Sequence, residues 1–199
     1  THWHTDHILG IPGLLKTLAL SGYNKTLHVY GPRGTRLMMG ALLKLFAFKE
    51  NFPIEVHEVS GRFFENNDFY LEAETMHHGV PCNAYAFVKK GKIKIDKQKL
   101  KKYGIKEGPH LKGLKSGRPI TYNKKRYFPK NLTFTEKERK ISFVLDTSLN
   151  EKIVRFVKNS DVFVCESSYM DELRDLAKRR YHLTAKQAAQ VAKNAKVGK

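Results

Sequence analysis

Three histidines and one aspartate fall within the first seven residues of this chain, Thr1-His2-Trp3-His4-Thr5-Asp6-His7. In an extended stretch, side chains alternate faces. His2, His4 and Asp6 are therefore expected on one face, with His7 swinging in where the strand enters a turn. Two imidazoles suit one zinc ion, and the added Asp-His pair suits a second ion beside the first. A surface histidine cluster or a tag remnant is the plainer alternative. It does not account for Ile8-Leu9-Gly10-Ile11-Pro12-Gly13-Leu14-Leu15, which continues as packed protein. A fold able to use this motif must bring other ligand-bearing segments up to it.

At 199 residues, 41% of them hydrophobic, with 12 Phe and 9 Tyr, the chain has the material for one core and is read as a single α/β domain. No apolar run approaches the ~20 residues of a membrane span. Two cysteines, Cys82 and Cys165, make no disulfide framework; they fit a reducing cytoplasm. Charge is the second informative feature. Of the net +18, residues 89–140 hold 19 basic and 4 acidic side chains, a net of +15 in one internal segment. A solvated lysine-rich face is the ordinary account of such a run. Here Tyr103, Tyr122, Tyr127 and Phe128 are interleaved with it and could stack or pack against a ligand. A basic, aromatic insert beside a metal motif points to a polyanion, above all nucleic acid.

Hydrophobic periodicity predicts helices over 11–21, 35–49, 149–158, 170–180 and 185–195, the second broken by Asn51-Phe52-Pro53. It predicts strands over 26–30, 54–59, 68–75, 83–88, 141–145 and 162–165. Alternating strands and helices give a layered α/β fold. Several strands end in a chemically capable residue: Asp6/His7, His78, Asp146 and Glu166. Strand ends converge on one edge of a sheet, where α/β proteins place their sites.

From these residues, His2, His4 and His78 make one nitrogen-rich zinc position. Asp6 and His7 make a second, and Asp146 bridges them, with manganese as the other ion the mixed ligand set admits. Spacing does not separate His77 from His78. Asp146 has a second reading as a helix N-cap, because Asp-Thr-Ser precedes a predicted helix. Glu166 either orients a ligand or caps a helix. His182 is either a capping or surface histidine or a proton donor to a leaving group.

These residues resemble the metallo-β-lactamase superfamily, whose signature is His-x-His-x-Asp-His, and within it the ribonuclease Z family of tRNA 3′-processing endonucleases. The resemblance extends through His7-Ile8-Leu9-Gly10-Ile11-Pro12-Gly13-Leu14, Val29-Tyr30-Gly31-Pro32-Arg33-Gly34 and His78-Gly79-Val80 with Tyr85. It continues in Gly104-Ile105-Lys106-Glu107-Gly108-Pro109, Leu114-Lys115-Ser116-Gly117, Leu145-Asp146-Thr147 and His182-Leu183-Thr184-Ala185. It implies a four-layer αβ/βα sandwich, incomplete here, spanning residues 1–199 with a basic RNA-binding arm inserted at about 89–140. It favours His78 over His77. It assigns His2, His4 and His78 to one Zn2+, Asp6 and His7 to another, and Asp146 to both. Asp6 would also position or deprotonate the attacking water, and His182 would assist the leaving oxygen. Gly108, Pro109, Lys112, Lys115 and Arg118 would grip precursor tRNA, in a homodimer whose arm reaches the partner's site.

The chain departs from the family pattern in three places. The family has strands before the motif and a further metal-binding histidine after the late helix, so the resemblance implies a partial domain that lacks one ligand of the second zinc. Glu166-Ser167-Ser168 also replaces the more usual Glu-Ala-Thr. The alternatives are another phosphodiesterase or ester hydrolase of the superfamily, and an RNA-binding fragment without catalysis.

Overall fold

A computed structural model describes residues 1–49 and 52–199; Asn51, expected to break a helix, lies outside them. The chain divides into two units, one of Thr1–Val88 with Lys140–Lys199, the other of Lys89–Arg139. The first begins with helices α1 (Thr5–Ile8) and α2 (Gly10–Leu20), strand β1 (Leu27–Gly31), helix α3 (Thr35–Leu45) and strands β2 (Ile54–Glu58), β3 (Gly61–Glu65), β4 (Phe69–Met76) and β5 (Cys82–Lys89). Strands β1 and β2 pair in parallel, from Leu27 opposite Ile54 to Gly31 opposite Glu58. Their alternation sends Leu27, Val29, Ile54 and Val56 against a core of Leu15, Met39 and Phe52. Gly31, the last residue of β1, has to be glycine because a Cβ there would run into the Thr35 side chain, where α3 begins.

The arm unit contains β6 (Ile93–Ile95), α4 (Lys97–Lys102), a single 3-10 turn (Pro109–Leu111), α5 (Lys112–Lys115), β7 (Ile120–Tyr122), β8 (Lys125–Tyr127), α6 (Pro129–Leu132) and β9 (Thr133–Thr135). Strand β6 pairs with β9 and β7 with β8, both antiparallel. Asn123 and Lys124 both carry positive φ, +50° and +60°, which turns β7 back onto β8 in two residues. Leu100, Ile105, Leu111, Leu114, Ile120 and Leu132 give this unit a core of its own. Tyr122 and Tyr127, expected as candidates to meet a ligand, pack against that core instead. Tyr103 and Phe128 remain 45% exposed.

The chain then returns to the first unit through β10 (Arg139–Val144), α7 (Glu151–Val157), β11 (Val162–Cys165), a 3-10 turn (Asp171–Leu173), α8 (Arg174–Arg179) and α9 (Ala185–Ala195). Five strands form one sheet in the order β11-β10-β5-β4-β3. Strand β11 lies parallel to β10, and β3 antiparallel to β4. Strand β3 was not expected, because Gly-Arg-Phe-Phe-Glu has no two-residue alternation. Asn66 makes the hairpin by accepting the main-chain N–H groups of Asp68 and Phe69 on its side-chain oxygen. Met76, Cys82, Ala84 and Val144 of the sheet pack with Ile153 and Val157 of α7, Val191 and Ala195 of α9, and Leu183.

Residues 170–180, read as one helix, are a 3-10 turn followed by the short α8. No helix among the described residues is long and apolar enough to cross a membrane. Leu183 is fully buried beside His182. Leu183→Ala is expected to cost about 2–5 kcal/mol, because the cavity cannot close between a sheet and two helices. A lower urea midpoint at unchanged m-value would register that loss.

Candidate metal centre

The N-terminal segment is held at the sheet by its own main chain, Asn83 N–H of β5 donating to the Thr1 carbonyl at 3.0 Å. Trp3 faces the opposite way from its neighbours. Its Nε1–H donates to Thr35 Oγ1 at 2.9 Å, and its ring packs on the Leu15, Met39 and Phe52 core. The expected alternation therefore holds from His2 to His4, with apolar Trp3 as the anchor. It does not extend to Asp6. Thr5–Ile8 is a helical turn, so Asp6 and His7 leave the backbone about 100° apart rather than on alternate strand faces. The Asp6 side chain is 76% exposed, that of His7 22%.

Three loops at sheet ends supply the remaining groups: His78 after β4, Asp146 after β10 and Glu166 after β11. The first two loops are tied together, Ser148 N–H donating to the His77 carbonyl at 2.9 Å and His77 N–H to Thr147 Oγ1 at 3.2 Å. Asp146 is the hub. One of its oxygens, Oδ2, lies 3.3 Å from His7 Nε2, 3.6 Å from His2 Nε2 and 3.9 Å from His78 Nε2. Ligand atoms of His2, His4, His78 and Asp146 lie within 4.8 Å of one another, and so do those of Asp6, His7 and Asp146 and those of Asp146, Glu166 and His182.

Asp146 does not cap α7; Asn150 does, accepting Lys152 N–H. His77 turns away and pairs its Nδ1 with Ser148 Oγ at 2.9 Å. His78 sets Nδ1 3.2 Å from the Tyr181 carbonyl and Nε2 3.1 Å from His4 Nδ1. With Nδ1–H donating to that carbonyl, Nε2 is the lone-pair nitrogen turned to the centre.

A cation fits this donor set. His2 Nε2 is a fully buried nitrogen with no hydrogen-bond partner, the one buried side-chain polar atom among the described residues in that state. A polar atom buried in this way costs roughly 1–3 kcal/mol unless something completes it. Burial, reinforced by His7, pushes the His2 imidazole down to about 4, and burial also lowers that of His78. Both rings therefore present neutral, ligating nitrogens at pH 7. Burial pushes the Asp146 carboxyl upward, but His7, its own backbone N–H and the other imidazoles outweigh it and hold the group below its usual range.

Glu166 and His182 stand beside the hub. Glu166 accepts Thr147 N–H at 2.8 Å and Ser168 Oγ–H at 2.8 Å, and both its oxygens lie 3.1 Å from His182 Nδ1. His182 does not cap α9. Thr184 and Gln187 form a capping box there, which leaves the ring to the carboxylate. Glu166 thus orients a side chain rather than ending a helix, and the His182 ring comes 5.6 Å from that of His78. The Glu166–His182 pairing had no signal in the sequence beyond a carboxylate after one strand and a histidine before one helix. An open cleft of about 1060 Å³ adjoins them, lined by His182, Tyr181, Ser148 and the cations Arg174, Lys178 and Arg179.

In the arm unit, Gly108 and Pro109 lead into the 3-10 turn, Lys112 and Lys115 bound α5, and Arg118 follows the turn at Gly117. All three of these cations are exposed. Lys94, Lys97 and Lys99 pair with Glu136, Glu107 and Asp96, so three of the unit's four acidic groups are matched locally and the positive excess stays at its surface.

No protein-family model matches the chain. It is 37% identical over 191 residues to the ribonuclease Z of Nanoarchaeum equitans, covering 96% of this chain and 60% of that protein. The structure of the short form of human tRNase Z superposes with a TM-score of 0.67 at 22% identity, covering 99% of this chain and 67% of the other. The metallo-β-lactamase fold protein YhfI of Bacillus subtilis matches at a TM-score of 0.62 and 16% identity, over the whole of this chain and 59% of the other. The chain thus spans less than two thirds of the length of that curated relative.

Proposed function

From a chain that is a sequence relative of ribonuclease Z and has the metallo-β-lactamase fold, we propose that the protein is a zinc-dependent endoribonuclease that removes the 3′ trailer of precursor tRNA. The cut falls after the discriminator base and leaves a 3′-hydroxyl on the tRNA. The observation that carries this reading is the buried, unpartnered His2 Nε2 facing a carboxylate that also meets His7 and His78.

His2, His4, His78 and Asp146 would hold one Zn2+, and Asp6, His7 and Asp146 a second, with Mn2+ as the other ion these ligands accept. When bound, such a pair of ions supplies an activated water and charge stabilisation for phosphodiester hydrolysis. The protein's own side chains do the rest. Asp6, exposed at the mouth of the centre, orients the attacking water and takes its proton. His182, protonated on both nitrogens for this step, donates Nδ1–H to Glu166 and gives its Nε2 proton to the leaving oxygen. The basic arm binds the tRNA backbone, in a homodimer, in the cytoplasm.

Zinc-loaded protein incubated with a precursor tRNA carrying a labelled 3′ trailer tests this reading. One product ending at the discriminator base, lost in Asp6→Ala, supports it. An intact precursor alongside hydrolysis of a small phosphodiester or ester would replace it with a general hydrolase. For the arm, neutralising Lys112, Lys115 and Arg118 to alanine is expected to weaken tRNA binding and to flatten the slope of log K against log[salt] by about 2–3. Filter binding between 50 and 200 mM salt measures that slope, and an unchanged slope would remove the arm from the tRNA interface.

A further inference from the structure

We propose that His28, Glu55 and His57 form a second divalent transition-metal site, separate from the Asp146 centre, that pins β1 to β2. The parallel register puts His28 directly opposite Glu55 and Tyr30 opposite His57. Alternation then places all four side chains on the face turned away from the Leu15, Met39 and Phe52 core. His28 Nδ1 lies 3.2 Å from His57 Nε2 and 3.3 Å from Glu55 Oε2, and His57 Nε2 lies 3.6 Å from the same oxygen.

A tetrahedral ion with bonds of ~2.1 Å spaces its donor atoms ~3.4 Å apart, which is the size of this triangle. Without an ion the arrangement is a poor hydrogen-bond network. Two nitrogens and one oxygen crowd a single point, and only one imidazole of a neutral pair can donate to the other. The rings are also held. Tyr30 stacks on His57 with centroids 5.0 Å apart at 22°, and lies at 22° to His28 at 6.2 Å. The three ligand side chains are 39–55% exposed, which leaves the remaining coordination positions to water. Two imidazoles and one carboxylate select zinc-class ions over calcium or magnesium, with copper(II) binding most tightly in vitro.

The site leaves the catalytic proposal untouched, so it is tested where that centre is disabled. Bound Zn2+ is counted by equilibrium dialysis in Asp146→Ala, alone and combined with His57→Gln. The single variant is expected to keep one ion per chain, and the double variant to bind it at least tenfold more weakly. In the wild-type background, His57→Gln and Glu55→Gln each lose one ion and keep cleavage activity. Being exposed, these substitutions leave folding intact, checked by circular dichroism. Copper(II) added to Asp146→Ala gives an EPR spectrum with nitrogen hyperfine splitting that the double variant lacks. Equal zinc counts in the two Asp146→Ala chains, or no bound ion in either at 50 μM Zn2+, would overturn the proposal.

Discussion

Asp146→Ala is expected to lower precursor-tRNA cleavage by at least ~10³-fold and to strip the centre of bound metal. The size follows from convergence. One carboxylate oxygen stands within 4 Å of nitrogens from three histidines on two separate segments. Its loss removes a ligand from both candidate ion positions at once, whereas loss of His4 removes one from a single position. Alanine leaves the local main chain intact, because the Cys82 thiol bonds to the Asp146 carbonyl rather than to its side chain. The metal-free variant should therefore unfold within about 1 kcal/mol of the metal-free parent, and the two losses can be told apart. Metal content by mass spectrometry and urea unfolding, set beside the cleavage rate, test the account. Cleavage within tenfold of the parent would show that Asp146 bridges nothing the reaction uses.

Glu166→Gln is expected to slow cleavage by about 10²–10³-fold while the zinc count stays the same. The carboxylate meets His182 Nδ1 with both oxygens, which fixes the ring and places the second nitrogen for the substrate. The neutral amide removes the negative charge beside the proton-carrying ring and can turn its N–H toward Nδ1 instead of accepting from it. His182→Ala should cost a similar factor, and the double variant little more, because the pair acts as one unit. The loss should fall on kcat with KM nearly unchanged, and the pH profile should change shape with it. A parallel fall in bound zinc would mean instead that Glu166, His182 and Asp146 hold an ion, as their ligand atoms, all within 4.8 Å, are able to do.

Much of this centre is legible in the sequence because its parts are local. The His2–His4 spacing needs only an extended backbone, and the apolar strands ending at His78, Asp146 and Glu166 announce their chemistry at their ends. Local periodicity fails where tertiary contacts override it. Thr5–Ile8 coils into a helix instead of continuing the strand. Tyr122 and Tyr127 are taken up by a core that the lysine-rich composition of the arm conceals. The register of β1 on β2, which assembles His28, Glu55 and His57, leaves no mark in either strand alone.

The sequence by itself determined the ligand types, the alternation that sets His2 and His4 opposite Trp3, the concentration of positive charge in residues 89–140 and the order of the longer strands and helices outside that segment. Each of these depends on residues a few positions apart, or on composition. Only the tertiary structure decided which of His77 and His78 turns to Asp146, that Asn150 rather than Asp146 caps α7, and that Glu166 holds His182. Those choices depend on where loops from β4, β10 and β11 come to rest against one another. Hydrogen bonds between the His77 and Thr147–Ser148 segments, some 70 residues apart in the chain, make them.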